Sequence, residues 1–231
     1  MLKARKKVRQ KELKQDKLVT TYFQSKDWFS DPENKKKLSI AAGIIIVLLI
    51  AGYFYVANKK SKNNEAETKL SAVISLYEGG KYQDAINGDP ANNITGLKDI
   101  VNNYGSTESG ETAKLYLGNC YFNLQDYDNA LKTFEDYSGN SDIIKSSCVS
   151  GQGAVFEAKG DLKKAAEFFE KAAGINKDVI TNQENLYYAI RDYTQAGDKA
   201  NAKRVFSSLK NDYPKSKYLT DSKRFEPQFK D

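Results

Sequence analysis

The chain has 231 residues, 36 Lys and Arg against 30 Asp and Glu, two cysteines and no histidine. Without histidine there is no Ser-His-Asp or Cys-His nucleophile and no zinc site with an imidazole ligand. Cys120 and Cys148 are too far apart for a CxxC redox pair and too few for a four-ligand site. With no nucleotide-binding loop either, no enzyme activity and no cofactor or metal is expected.

The charge is uneven. Residues 1–37 hold 12 basic and 5 acidic side chains, whereas residues 58–231 hold 24 and 25. The basic excess therefore belongs to an amino-terminal tail, and the larger part is close to neutral. Between them, residues 38–57 read "LSIAAGIIIVLLIAGYFYVA", without a charge. At about 1.5 Å per residue such a helix spans roughly the 30 Å of a bilayer's hydrocarbon. The charged stretch before it is too long, and "YVAN" too unlike an A-x-A site, for a cleaved leader. An uncleaved signal anchor is expected.

Ahead of the span, "SDPE" at 30–33 offers a helix start, with Ser30 as cap and Glu33 three residues on. Tyr53, Phe54 and Tyr55 fall where an aromatic belt would sit. Lysines nearest the span tie, four on each side. The eight further basic residues between Lys3 and Lys17 break the tie toward a cytoplasmic tail. That tail is expected to touch anionic lipid rather than nucleic acid. The next stretch, 58–64 or "NKKSKNN", reads as a linker. It reaches at most about 25 Å, which keeps the carboxyl-terminal part near the bilayer.

From residue 65 the apolar period becomes 3.6. Ala113, Tyr116, Leu117, Cys120, Tyr121 and Leu124 form one helical face, and Tyr127, Ala130, Leu131, Phe134 and Tyr137 form a second after a short break. The arrangement recurs: Gly118, Tyr121, Ala130 and Phe134 are matched by Gly153, Phe156, Ala165 and Phe169. Tyr193, Ala202, Phe206 and Pro214 match again, with Ile190 in the glycine's place. The turns "QDYDNA", "GDLKKA" and "GDKANA" agree as well.

This pattern resembles the tetratricopeptide repeat. The implied fold is all-α: a single transmembrane helix, then an α-α superhelical solenoid of about four helix pairs over 65–226. The first pair is degenerate, because "NGDPANNI" at 87–94 interrupts its second helix. "KYLTDSKRF" is expected to cap the far end. Gly118 and Ala130 are expected to let the paired backbones approach closely, with Phe134 beside the contact. Cys120 and Cys148 are expected as buried packing residues, since a disulfide needs Cα atoms within about 7 Å.

In such a solenoid the first helices line the hollow side. Leu115, Asn119, Phe122 and Asn123 form its candidate peptide groove, with Ser150, Ala154 and Glu157 and then Tyr187, Arg191 and Thr194 as equivalents. Mixed apolar, aromatic and charged lining suits a polypeptide ligand. Equally, Leu115 and Phe122 would serve as packing against the preceding repeat. Repeats that clamp a carboxyl terminus carry Lys, Asn and Arg at set positions. Here Asn119 fits, but Leu115, Gly151, Glu184 and Tyr188 stand at the others, which argues against such a clamp.

The layout of basic tail, one anchor and degenerate repeats resembles the ancillary subunit of the bacterial Sec translocon. The resemblance implies a protein of the inner membrane with its repeats in the periplasm. Its implied partners are SecYEG, a membrane-anchored prolyl-isomerase-like chaperone and exported polypeptides. The same architecture would also serve an adaptor for envelope assembly or division, or, with inverted topology, an adaptor facing the cytoplasm.

Overall fold

A computed structural model of the protein describes residues 10–176, 178 and 181–229. The basic positions Lys3, Arg5, Lys6, Lys7 and Arg9 lie outside the described residues. The chain divides into two units, Met1–Asn58 and Lys59–Asp231.

The first unit holds helix α1 (Gln10–Ser30) and the beginning of α2 (Pro32–Glu78). The residue that caps α2 is Asp31, not Ser30. Its carboxylate accepts the backbone N–H groups of Glu33 at 2.8 Å and Asn34 at 3.2 Å, while the Ser30 hydroxyl donates to the Lys26 carbonyl within α1. A carboxylate immediately before a proline at the first helical position is the stronger cap, and its charge suits the helix dipole. Over 38–57 the apolar side chains are exposed, Leu49 to 67%. Helix α2 is long and apolar enough to cross a membrane, and none of its apolar window is buried.

In the second unit α2 continues without a break through 58–64, so the stretch read as a linker is helical. Beyond it α2 turns Ala66, Leu70, Val73 and Leu76 inward at helical spacing. Leu70, Val73 and Leu76 pack with α3 (Tyr82–Asn87), α4 (Leu97–Tyr104) and α5 (Glu108–Asn123) in one core. The pairs α5 with α6 (Tyr127–Glu135), α7 (Asp142–Ala158) with α8 (Leu162–Ala173), and α9 (Asn182–Gln195) with α10 (Lys199–Asp212) come next. Each helix from α4 to α10 packs on the next in sequence, and α5 also packs on α7, the neighbour relation of a helical solenoid.

The interruption in the first pair is a small hairpin. Strands β1 (Gly88–Asp89) and β2 (Ile94–Thr95) run antiparallel, and Asp89 caps the 3-10 turn between them by accepting the Ala91 and Asn92 N–H groups. It replaces part of a helix without opening the core, because Ile86, Leu97 and Ile100 on either side stay buried. At the other end α11 (Lys217–Ser222) and α12 (Glu226–Phe229) close the array. Leu219, Phe225 and Phe229 cover its last apolar face, and the Phe229 ring lies 5.6 Å from that of Phe206. Packing thus continues past residue 226.

The turns joining paired helices share one geometry. Gly80, Gln125, Gly160 and Gly197 have φ of 71°, 62°, 82° and 77°. In the last three turns the next residue, Asp126, Asp161 or Asp198, caps the following helix through its side chain. Gln125 alone pays the steric penalty of a side chain in the left-handed region. Gln125→Gly is therefore expected to raise stability by about 1 kcal/mol, read as a higher urea midpoint with unchanged slope.

Among the repeat positions, Ala130, Ala165 and Ala202 are wholly buried, as are Phe134, Phe169, Phe206 and Tyr193, while Tyr121 and Phe156 are half-buried. The role of Gly118 differs from the expected backbone approach. A Cβ there would meet not the facing backbone but the Phe134 ring, at 2.5 Å. The same ring would be met at 2.6 Å by a Cβ on Gly151, from the next pair. Phe134 thus stacks between two glycines. Gly153 does face a backbone, the Ala165 carbonyl at 3.2 Å, together with the Phe169 ring at 3.1 Å. Leu124 is 41% exposed rather than buried, because α5 ends just before it. Pro214 is exposed also: it lies just past the end of α10, outside the packed core. Cys120 and Cys148 are free and buried, and burial pushes both thiols up to about 12.

Candidate peptide-binding groove

A groove of about 490 Å³ runs across α5, α7 and α9. Leu115 and Asn119 come from α5, Ser150, Gly151, Ala154 and Glu157 from α7, and Glu184, Asn185, Tyr188 and Arg191 from α9. These positions meet because residues four apart on a helix share a face and the first helices of successive pairs lie side by side.

The polar groups of the groove are partly tied to one another. Arg191 lies 2.5 Å from the Glu157 carboxylate and donates through Nε to Asp192 at 2.6 Å, with its guanidinium 5.0 Å from the Tyr188 ring centre. Burial would lower the Arg191 pKa, but the two carboxylates outweigh it and the pKa rises. Asp192 is fully buried, and burial raises its carboxyl above the ordinary range despite Arg191. Tyr188 donates to Glu184 at 2.8 Å, and burial first, then that carboxylate, pushes its hydroxyl up to about 12. On the α5 side the Asn119 amide reaches the Tyr77 hydroxyl at 3.5 Å.

Asn185 was not singled out by the sequence. It is 2% exposed, and its Oδ1 accepts the Ser150 hydroxyl at 2.8 Å. Its Nδ2 has no hydrogen-bond partner, although an unpaired buried donor costs about 1–3 kcal/mol. Only a lone asparagine in a helix marks the position, and that pattern is common to solvated surfaces.

Of the expected groove residues, Leu115, Asn119, Glu157 and Arg191 come together here with Ser150 and Ala154, while Phe122, Asn123, Tyr187 and Thr194 do not line it. Phe122 packs toward α6, its ring 5.7 Å from that of Tyr127, and Leu115 touches the same core from the groove side. Asn123 is exposed, its amide turned back onto the Asn119 carbonyl. Tyr187 is covered by the carboxyl-terminal cap: the rings of Tyr218 and Phe225 lie 5.9 and 6.1 Å away, and Arg224 donates to its hydroxyl. The last turn of a solenoid has no following repeat, so its cap occupies the position that a groove residue would hold elsewhere. Leu115, Gly151, Glu184 and Tyr188 all line the groove where a carboxylate clamp would carry its basic and amide side chains.

A tetratricopeptide-repeat family model matches residues 112–140 and 184–216, and a second matches 152–179. The pairs α5 with α6, α7 with α8 and α9 with α10 are similar to tetratricopeptide repeats. The matches begin within α5, so the pair interrupted by the hairpin lies outside them. No curated protein matches the chain. Tetratricopeptide repeats are protein-interaction modules and typically non-catalytic, which suggests a protein-interaction scaffold. Among the described residues no group of three or more Cys, Asp or Glu side chains could hold a metal ion.

Proposed function

We propose that the protein is a membrane-anchored scaffold or holdase that faces the periplasm from the bacterial inner membrane. In this reading it associates with the Sec translocon and periplasmic chaperones, and its repeats hold segments of exported polypeptides. The observation that carries the proposal is one helix, long and apolar enough to span a bilayer, in the same chain as a protein-binding array. The basic tail supports a cytoplasmic amino terminus and contact with anionic lipid headgroups. An anchor also raises the effective concentration of the array for chains emerging from a neighbouring channel.

Crosslinking followed by affinity purification in mild detergent tests the association. Translocon subunits should co-purify. Recovery of cell-wall or outer-membrane partners instead would favour the envelope-assembly adaptor. Topology has its own test. Ser207 is exposed on α10, while both native cysteines are buried with thiols raised by burial. A Ser207→Cys variant should therefore be labelled by a membrane-impermeant maleimide once the outer membrane is permeabilised. Labelling that appears only after the inner membrane is also breached would place the repeats in the cytoplasm.

A further inference from the structure

The groove across α5, α7 and α9 has three properties that together define a ligand. The first is charge. Among the described residues its lining includes the carboxylates Glu157 and Glu184 and one basic side chain, Arg191. Arg191 is already engaged by Glu157 and by Asp192 behind it. Among the described residues no lysine lines the groove, so their charge there is acidic in excess. A clamp for carboxyl termini needs the opposite sign, and Glu184 stands where such a clamp would be basic.

The second property is a donor without an acceptor. Asn185 lies in the groove lining, is almost completely buried and is fixed through Oδ1 by Ser150, while its Nδ2, itself buried, has no hydrogen-bond partner among the described residues. A carbonyl oxygen from a ligand would satisfy it. The main-chain carbonyls inside a helical ligand are already used within that helix, whereas an extended segment leaves them available. The third is an apolar side. Leu115 and Ala154 in the same lining offer contacts to an aliphatic side chain.

We infer that this groove binds an extended polypeptide segment carrying a lysine or arginine, with Asn185 donating to a main-chain carbonyl and Glu184, aided by Glu157, receiving the basic side chain. The inference rests on the protein-binding reading above and narrows it to one class of partner sequence. Selectivity lies in Glu184, because Glu157 is already shared with Arg191. Asn185 contributes to every extended ligand alike, because it reads the main chain.

The test uses the full chain in lipid nanodiscs and fluorescein-labelled peptides of sequence Gly-Ser-Leu-Ala-Arg-Ser-Gly, with a second peptide carrying Glu in place of Arg. Fluorescence anisotropy should show saturable binding of the arginine peptide, at least about tenfold tighter than the glutamate peptide and weakened by salt. Glu184→Lys, a change at a partly exposed position, should reverse that ranking. Asn185→Ala should weaken both peptides together while leaving their ratio intact. Thermal melting by circular dichroism confirms that each variant is folded, and Glu184→Gln repeats the charge test if the lysine variant is not. Equal binding of both peptides, or a ranking unmoved by the Glu184 variants, overturns the inference and leaves the scaffold reading standing. If no peptide binds, the groove loses its assignment in both readings. Self-association that Glu184→Lys abolishes would assign the groove to a second copy of the chain and likewise overturn the inference.

Discussion

Phe134→Ala is expected to lower the unfolding free energy by about 3–5 kcal/mol, the largest loss from any single truncation in the array. The side chain is 2% exposed and lies in the core shared by α5, α6 and α7. Its ring fits between Gly118 and Gly151, so removing it leaves a slot bounded by two backbones that neighbouring side chains cannot easily fill. The same geometry makes a counter-intuitive companion test. Gly118→Ala should improve helix propensity by about 1 kcal/mol. Instead it should destabilise by about 1–3 kcal/mol, because the new methyl meets a ring that Gly151 prevents from retreating. In the double variant with Phe134→Leu the two losses should not add, and a double-mutant cycle in urea measures that coupling. Additive losses would show that the ring and the glycine act independently.

The second large effect concerns Glu111, at the start of α5. Its side chain is buried, pairs with Lys114 at 2.7 Å, and accepts the Ser138 N–H and hydroxyl, each at 2.8 Å. It thereby pins the connection between α6 and α7 to the preceding repeat. Glu111→Ala should cost about 3 kcal/mol, since among the described residues it leaves the Lys114 ammonium the Asp136 carbonyl in place of a carboxylate. Glu111→Gln should recover part of the loss through hydrogen bonds to Ser138. The pH dependence has a definite sign. Burial raises the Glu111 carboxyl, but Lys114 and Ser138 outweigh it, so its pKa lies below the ordinary carboxylate value. Glu170 is lowered too, by its hydrogen bonds to Arg204. A carboxylate depressed in the fold stabilises above its unfolded pKa, and that stabilisation is lost as pH falls through the folded pKa. The wild type should therefore lose stability on acidification below the ordinary glutamate range. Denaturant melts in that window should show a weaker decline for Glu111→Ala.

Much of the architecture was legible because the repeat multiplies a weak signal. A single glycine in a helix says little, but Gly118, Ala130 and Phe134 recurring as Gly153, Ala165 and Phe169 identify a paired-helix unit. The turns carried the same message; that Asp126, Asp161 and Asp198 cap their helices is a finding of the structure. The groove was half legible. Counting along first helices finds Leu115, Asn119, Glu157 and Arg191, because one helical face stays one face. It misplaces Phe122, which lies at the edge of that face and turns toward α6, and Tyr187, which the carboxyl-terminal cap covers. Asn185 and Glu111 escaped notice for a common reason. Their partners Ser150 and Ser138 lie 35 and 27 residues away, and no local pattern announces a hydrogen bond across repeats.

The sequence by itself determined the long apolar helix, the order of the helix pairs, the likeness of their turns and the absence of imidazole chemistry. These properties depend on periodicity, on local hydrogen bonds and on composition, all of which are written along the chain. The stacking of Phe134 between glycines of different repeats was decided only in three dimensions, as were the helical continuation of α2 through 58–64 and the buried amide on the acidic groove. The ring between two glycines and the buried amide both depend on groups distant in sequence being brought to within a few ångströms. Packing then sets which side chain is buried, which charge is compensated and which donor is left for a partner.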